Sequence, residues 1–268
     1  MTGPGTIAGM GSSVRIRILG VGMGPQHVTP EVADALRGVD YVLAAEKARD
    51  DRLLALRKAI VEAHPGPRGP AELVALPDPE RDRAPGLTTA GYEGAVTDWH
   101  DARADQYAAV LGERGGTAAF LVWGDPSLYD STIRVVEKVR ARLQTRSVDL
   151  DYDVLAGISA PQLLAARHRL VLHEIGRPVH ITTGRRLQEA VSAGLDNIVA
   201  MLNPPPDRLD FTGLHDWTVW WGANLGAEGE RLITGRLGDV LPAIGEARAA
   251  AEAQAGWVMD AFLVRKTR

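Results

Sequence analysis

The residues whose types and spacing could bind a ligand concentrate in three glycine-containing turns. These turns are residues 20–24 (GVGMG), 124–132 (GDPSLYDST) and 157–162 (GISAPQ). Each follows an apolar run and precedes apolar residues at helical spacing, which predicts a strand-to-helix turn. The carboxyl end of a strand that meets the N-terminus of a helix is where α/β sheets bind ligands.

The first turn allows three interpretations. Its glycines would let the backbone approach a phosphate, but Pro25 breaks the dinucleotide fingerprint G-x-G-x-x-G. Glu46 follows the second predicted strand, where an acid could bind a ribose. A plain strand-to-helix turn and the lining of another ligand cleft are the other two interpretations, and the turn alone does not decide among them.

The second turn is more specific. Asp125 and Pro126 have the chemistry of a helix N-cap and of the first helical position, which predicts a helix from Ser127 to about Leu143. That helix start does not explain Gly124 or the hydroxyls of Ser131 and Thr132. In the third turn, Ser159 or Ala160 is expected near the cap of the next helix. If these two turns follow adjacent strands, they border one cleft.

The elements that must position these turns alternate between strand and helix in the first half of the chain, which predicts a parallel sheet. The second half has strand-like runs with fewer helices between them, which predicts a mixed sheet. We therefore expect two α/β domains, a five-stranded parallel domain over residues 14–156 and a mixed domain over 157–268, with the ligand cleft between them. A flexible extension is expected over residues 1–13. The predicted strands are residues 14–19, 40–44, 72–76, 118–122 and 152–155, then 179–182, 197–202, 217–221, 231–235 and 257–263.

Composition excludes several functional classes. The 268 residues are 45% hydrophobic and 24% charged, as in a globular protein of about two domains. The chain has no cysteine, which excludes disulfides, thiolate metal sites and a cysteine nucleophile. The net charge of −4 provides no positive field for nucleic acid, and no apolar run approaches the roughly 20 residues of a membrane span. We expect a cytoplasmic enzyme or binding protein.

The ordered set of turns resembles the tetrapyrrole methylase family, whose members use S-adenosylmethionine in corrin and sirohaem synthesis. The resemblance extends from about residue 14 to 265 and includes stretches such as residues 75–83, 98–100, 179–186 and 256–260. It implies two α/β domains, a polycarboxylated tetrapyrrole substrate and a homodimer. One departure is visible, because many members continue the first loop as G-P-G-D-P whereas this chain has Gly24-Pro25-Gln26-His27.

The resemblance also assigns roles to residues. It implies that the methyl donor S-adenosylmethionine is bound by the second turn and by strand ends of the second domain, although Met201 could equally be core. The cofactor-binding residues implied are Gly124, Asp125, Leu128, Ser131, Thr132, Met201, Gly222 and Ala223. The first glycine turn is implied to border the tetrapyrrole, which gives Gly22 and Gly24 a role in substrate binding.

A polycarboxylated substrate needs cations, and residues 165–190 supply them. Five arginines stand there against two glutamates, a local charge of +3, and guanidinium groups suit carboxylate arms. We expect Arg167, Arg185 and Arg186 to bind substrate, against the alternative of a solvated basic face. The histidines of this stretch lack metal-ligand spacing, so no metal is expected. Trp123, Trp220 and Trp221 could offer a flat apolar surface or belong to the core.

The resemblance implies a second step, the release of an acetyl group as acetate. That step needs a base to activate water. The candidates are Glu46, Asp78, Glu80, Asp82, Asp98 and His100. Asp78 and His100 are preferred as the catalytic residues because they lie in stretches that simpler methylases lack, although Asp78-Pro79 could also be a surface turn. The alternatives are another precorrin C-methyltransferase of the same fold and a non-catalytic nucleotide-binding module.

Overall fold

A parallel five-stranded sheet forms the first half of the computed structural model, which describes residues 13–46, 52–80 and 89–267. Its strands run in the order β3-β2-β4-β1-β5. They are β1 (Ser13–Gly20), β2 (Tyr41–Glu46), β3 (Glu72–Pro77), β4 (Gly116–Val122) and β5 (Asp149–Leu155). The predicted parallel sheet is confirmed. The predicted extension lies outside the described residues except for Ser13, which begins β1.

Helices cover both faces of this sheet. They are α1 (Pro30–Arg37), α2 (Arg52–Ala63), α3 (Thr89–Arg114) and α4 (Thr132–Gln144). Because side chains alternate along a strand, Ile16 and Ile18 of β1 pack on the side of α3 and α4, whereas Leu19 packs on the side of α1 and α2. Thr29 caps α1 as predicted, since its hydroxyl accepts the Val32 N–H at 3.2 Å.

A mixed five-stranded sheet forms the second half, in the order β6-β7-β10-β8-β9. The pairing of β6 with β7 is parallel and the remaining pairings are antiparallel, so the predicted mixed sheet is also confirmed. Its strands are β6 (His180–Thr183), β7 (Asn197–Met201), β8 (Thr218–Ala223), β9 (Arg231–Arg236) and β10 (Asp260–Arg265). Its helices are α5 (Ala160–His168), α6 (Leu187–Ser192) and α7 (Leu237–Ala255).

The described residues group into two compact units, one up to Gly157 and one from Ile158. Each unit has its own core. In the second unit, Trp221, Phe262 and Ile244 pack between the sheet and α7.

Three predictions about the fold need correction. The helix predicted from Ser127 begins instead at Thr132, and the last strand begins at Asp260 rather than at residue 257. The second and third turns do not follow adjacent strands, because β1 lies between β4 and β5. None of the helices in the described parts of the chain is long and apolar enough to cross a membrane.

Candidate functional site

The first two glycine-containing turns and Gly157, the first residue of the third, meet at the carboxyl edge of the first sheet. The Gly124 N–H donates to the Gly22 carbonyl at 2.8 Å, and the Gly22 N–H donates to the Gly124 carbonyl at 3.2 Å. This antiparallel bridge joins the first turn to the second. The strand β1 lies between β4 and β5, but Gly20 at its end has no side chain. The turns that follow β4 and β5 can therefore approach each other.

Close packing explains why glycine stands at these positions. A Cβ atom on Gly157 would lie 2.2 Å from the Gly124 carbonyl oxygen, and one on Gly20 would lie 2.5 Å from the Gly157 nitrogen. Gly22 has a φ of +67° and a Cβ there would lie 2.5 Å from the Cβ of His27. The glycines therefore serve backbone packing and a left-handed turn.

Asp125 connects the second turn to the third. Its Oδ2 accepts the Gly157 N–H at 2.9 Å, and its Oδ1 accepts the Ser127 N–H at 2.8 Å together with the Ser127 hydroxyl. Burial works to raise the pKa of Asp125, but the hydrogen bonds from Ser127 and Gly157 outweigh it, so the pKa lies below its usual value. Asp125 is therefore an anionic brace between two turns.

This contact corrects the predicted role of Asp125 and Pro126 at a helix start. The N-cap residue of α4 is Ser131, whose hydroxyl makes no capping bond. The Asp130 carboxylate accepts the Thr132 N–H at 2.7 Å, so Asp130, and not the N-cap residue, bonds to the first turn of α4. The Ser131 hydroxyl, half-buried at the end of the turn, is not used by the helix.

Asp78 lies at the end of β3 and is largely buried, with 12% of its side chain exposed, so the surface-turn interpretation is wrong. Its Oδ1 accepts the Trp99 indole N–H at 3.1 Å and the Arg103 Nε–H at 2.8 Å. The Arg103 guanidinium carbon lies 3.9 Å from the Trp99 ring centroid. Both of these hydrogen bonds are accepted by Oδ1, so the carboxylate is anchored through one oxygen.

His100 follows Trp99 on α3. It is 8% exposed on α3, and its ring centroid lies 5.4 Å from that of Trp99. Burial lowers the pKa of His100, and the positive charges of Lys138 and Arg103 lower it further. The imidazole is therefore neutral at pH 7 and able to accept a proton. The two residues preferred as catalytic from the sequence thus both adjoin Trp99, Asp78 through a hydrogen bond and His100 as its chain neighbour.

The basic stretch of the second unit has partners within that unit. Arg167 Nε lies 2.9 Å from Glu230 Oε1, and Arg186 pairs with Glu189 one helical turn on, at 2.6 Å. Arg185 is exposed. Ser159 stands at the N-cap of α5 as expected, with its N–H and hydroxyl both donating to Gln162 Oε1 at 2.8 Å.

The remaining predicted cofactor residues lie at one edge of the second sheet. Met201 ends β7 and is half-buried, whereas Gly222 and Ala223 end β8 and are buried. A Cβ on Gly222 would lie 2.7 Å from a Leu225 methyl carbon and 3.0 Å from one of Leu164, so packing accounts for this glycine.

Two asparagines hold this edge, and the sequence analysis missed both. Asn203 Nδ2 donates to the Asp260 carbonyl at 3.2 Å. Asn224 donates its N–H to the Met259 carbonyl at 2.8 Å and accepts the Met259 N–H at 3.0 Å. The signal for Asn224 was its place directly after a strand, since asparagine tolerates the left-handed φ of +47° observed there.

Three tryptophans were candidates either for a flat apolar surface or for the core, and the structure separates them. Trp221 is 1% exposed and its indole N–H donates to Asp260 at 3.0 Å, so that interpretation is wrong for Trp221. Trp220 is half-buried, with the Arg265 guanidinium 5.3 Å from its ring. Trp123 packs on the α1 and α2 side, and its buried indole nitrogen has no hydrogen-bond partner among the described residues.

Sequence reasoning also missed Trp99 and Arg103. Their spacing of four residues on α3 places them on one helix face, which was the available signal. Within the described part of the chain, no group of three His, Asp or Glu side chains could hold a metal ion.

Comparison with known proteins agrees with the resemblance. The model of the family of tetrapyrrole (corrin/porphyrin) methylases matches residues 15–241. The chain is 41% identical over 258 residues to the deacetylating precorrin-6A synthase of Sinorhizobium sp, covering 94% of this chain and 95% of that protein. It is 33% identical to the crystal structure of a cobalamin synthesis related protein (CobF) from Corynebacterium diphtheriae, with a TM-score of 0.76, covering 95% of this chain and 100% of that one. Uroporphyrin-III C-methyl transferase from Thermus thermophilus, complexed with S-adenosylhomocysteine, shares the fold at 18% identity and a TM-score of 0.54, covering 93% of this chain and 96% of that one.

Proposed function

Because the chain belongs to the tetrapyrrole (corrin/porphyrin) methylase family, we propose that it is a deacetylating precorrin-6A synthase. It methylates precorrin-5 at C1 with S-adenosylmethionine as methyl donor and releases acetate, which gives precorrin-6A. The observation that carries this proposal is the 41% identity to an enzyme of that name over 95% of its length.

The turn at residues 124–132 fits the methyl donor. Gly124 has a φ of +77°, and the Asp125 brace fixes the turn that follows it. We propose that Gly124 and Leu128 present backbone groups to the donor and that Ser131 and Thr132 offer hydroxyls. Asp125 acts through the turn, since its oxygens already accept Ser127 and Gly157. Met201, Gly222 and Ala223 are assigned to the same ligand.

Substrate carboxylates are assigned to arginines of the second unit. Arg185 and Arg186 follow β6 on the exposed surface, and Arg167 lies on α5. A guanidinium group can hold a carboxylate by two parallel hydrogen bonds, which suits the acetate and propionate arms of a precorrin. Gly22 and Gly24 are assigned to the substrate side of the first turn, although both are buried.

Methyl transfer needs little from the protein besides positioning and the exclusion of water. S-adenosylmethionine supplies a methyl group on a sulfonium, so the electrophile comes with the cofactor. The residues of the chain hold the two reactants in line. The absence of cysteine is therefore compatible with this chemistry.

Deacetylation needs a base. Water adds to the acetyl carbonyl while a base accepts its proton, the bond between C1 and the acetyl carbon breaks, and acetate leaves. The electron pair left on C1 then forms the bond to the methyl group. We propose that His100 or Asp78 is this base, because both are largely buried beside Trp99 and His100 is neutral at pH 7.

The test is a product assay with precorrin-5 and S-adenosylmethionine. We expect one acetate and one S-adenosylhomocysteine for each precorrin-6A formed. Methylation without acetate would favour another precorrin C-methyltransferase. Binding of NAD without binding of S-adenosylhomocysteine, measured by calorimetry, would favour a nucleotide-binding module. The homodimer and the cytoplasmic location expected from the sequence stay predictions.

A further inference from the structure

The two oxygens of the Asp78 carboxylate are held differently. Three N–H donors converge on Oδ1, the Trp99 indole at 3.1 Å and the Nε and Nη2 of Arg103 at 2.8 Å each. An arginine that pairs with a carboxylate frequently bonds both oxygens through two parallel hydrogen bonds. Here the guanidinium and the indole bond the same oxygen, so these donors leave Oδ2 for another partner.

The direction of Oδ2 is fixed by contacts on two sides of Asp78. The backbone N–H of Asp78 donates to the Glu46 carbonyl at 2.9 Å, which joins the end of β3 to the end of β2. Trp99 and Arg103 lie four residues apart on α3, and the guanidinium carbon lies 3.9 Å from the Trp99 ring centroid. Because the backbone and Oδ1 are both held, the carboxylate cannot turn freely.

The burial of the pair between Asp78 and Arg103 favours a functional role over a stabilising one. The two side chains are only 12% and 16% exposed. Removing two charges from water costs much of what their attraction returns, so a buried ion pair adds little net stability. A general base, in contrast, needs an oxygen that is held in one direction within reach of the proton it accepts.

Asp78 follows the carboxyl end of β3, at the sheet edge to which the methyl donor is assigned. Only β2 lies between β3 and β4. Neighbouring strands are about 4.8 Å apart, so the ends of β3 and β4 are separated by about 10 Å. Reacting atoms approach to about 3–3.5 Å. A water on Oδ2, the acetyl group on C1 and the methyl donor can therefore be accommodated across this span.

We propose that Trp99 and Arg103 are positioning residues for deacetylation, which hold Asp78 so that its Oδ2 accepts a proton from the attacking water. This inference rests on the proposed function and selects Asp78 from the two bases considered there. The water oxygen bonds the acetyl carbon while Oδ2 takes one proton, and the bond between C1 and the acetyl carbon then breaks. The electron pair left on C1 bonds the methyl group of the sulfonium. The second water proton leaves with the acetic acid, and both protons pass to solvent.

The test measures kcat and KM for acetate release from precorrin-5, with calorimetric affinity for S-adenosylhomocysteine and thermal unfolding alongside. Asp78→Asn and Arg103→Ala should each lower kcat by about 100-fold or more, because the base is removed or no longer held. Arg103→Lys keeps one donor, and Trp99→Phe keeps the ring beside the guanidinium, so each should lower kcat about tenfold. KM and cofactor affinity should stay within about twofold.

Rescue by a small cation distinguishes positioning from a purely structural role. Guanidinium ion added at millimolar concentration to Arg103→Ala should restore part of the lost kcat, since it can donate to Oδ1 in place of the side chain. A variant that has lost activity through misfolding would not recover in this way.

Arg142→Ala is the matched control. Arg142 is also partly buried between α3 and α4, where it bonds Asp101 at 2.8 Å. Its substitution should lower the melting temperature and leave kcat unchanged.

The inference is overturned if Asp78→Asn or Arg103→Ala releases acetate as fast as the unmodified protein. It is also overturned if kcat follows the melting temperature across all variants, Arg142→Ala included. If Arg103→Ala does not fold, Arg103→Lys and Trp99→Phe decide by the same criteria. Failure of the unmodified protein to release acetate from precorrin-5 would instead refute the proposed function.

Discussion

Both carboxylate oxygens of Asp125 accept hydrogen bonds from donors in its own unit. We therefore expect Asp125 to affect ligand binding through the conformation of the turn. Asp125→Ala leaves the Gly157 N–H without its acceptor and should cost about 1–3 kcal/mol of unfolding free energy. It should also weaken binding of S-adenosylhomocysteine, measured by calorimetry. Ser127→Ala is the control, because it keeps the bond to Gly157. Equal losses in the two variants would show that the brace does not matter.

His100 and Asp78 can be distinguished as bases by pH. Burial and, next, the Lys138 ammonium disfavour the imidazolium form and lower the pKa of His100. Lys138→Gln should therefore raise that pKa. If neutral His100 is the base, activity is lost as pH falls through its pKa, so the acid limb of the kcat profile should move to higher pH in this variant. An unmoved limb would exclude His100 as the titrating base and leave Asp78.

Variants of the exposed arginines should distinguish effects on substrate binding from effects on cofactor binding. Arg185→Ala combined with Arg186→Ala should raise KM for the precorrin, since guanidinium contacts to carboxylates are lost. Affinity for S-adenosylhomocysteine should stay within about twofold, a change of roughly 0.4 kcal/mol. Glu189→Gln controls for the lost ion pair with Arg186. If cofactor affinity falls as much as substrate affinity, the basic stretch is structural.

At the scale of elements, local sequence predicts the apolar strands well because alternation and β-branched runs are local signals. The start of α4 could not be predicted in this way. Asp125-Pro126 has the chemistry of a cap, but the carboxylate bonds Gly157, 32 residues away in the chain. The order of the parallel strands is likewise set by pairing between distant segments, so the position of β1 between β4 and β5 was not visible.

Gly157 tests the packing of the turns at the carboxyl edge. Gly157→Ala places a Cβ 2.2 Å from a backbone oxygen, which cannot move without shifting β4 or its turn. We expect a loss of about 1–3 kcal/mol in unfolding free energy, as for other overpacked sites, with loss of activity. The measurement is urea unfolding together with the acetate assay.

Gly94→Ala is the control for Gly157→Ala. A Cβ on Gly94, in α3, would meet nothing within 4 Å, so alanine there should stabilise by about 0.5–1 kcal/mol. Similar stability of the two variants would contradict the close packing of the three turns.

Over the whole molecule, carboxylates with a lowered pKa and those with a raised pKa change the free energy of unfolding in opposite directions as pH changes. The pKa of Asp40 is held low by the Thr117 N–H and by Arg68, and that of Asp101 by Lys138 and Arg142. A lowered pKa contributes stability at neutral pH that is lost as pH falls through it. These groups therefore favour unfolding in acid.

The pKa of Asp260 is shifted in the opposite direction, and substitution of Asp260 tests how that shift affects stability. Burial raises its pKa, although the Trp221 hydrogen bond and the Arg248 charge oppose the rise. Its contribution is fully present below the ordinary value near 3.8 and is lost as pH rises through the raised pKa. Asp260→Asn cannot ionise, and its amide oxygen can still accept the Trp221 N–H. The unfolding free energy of the variant should therefore increase relative to that of the unmodified protein across this window and then level off. A difference that stays constant with pH would show that Asp260 keeps its ordinary pKa, and a decrease would show that the pair with Arg248 outweighs burial.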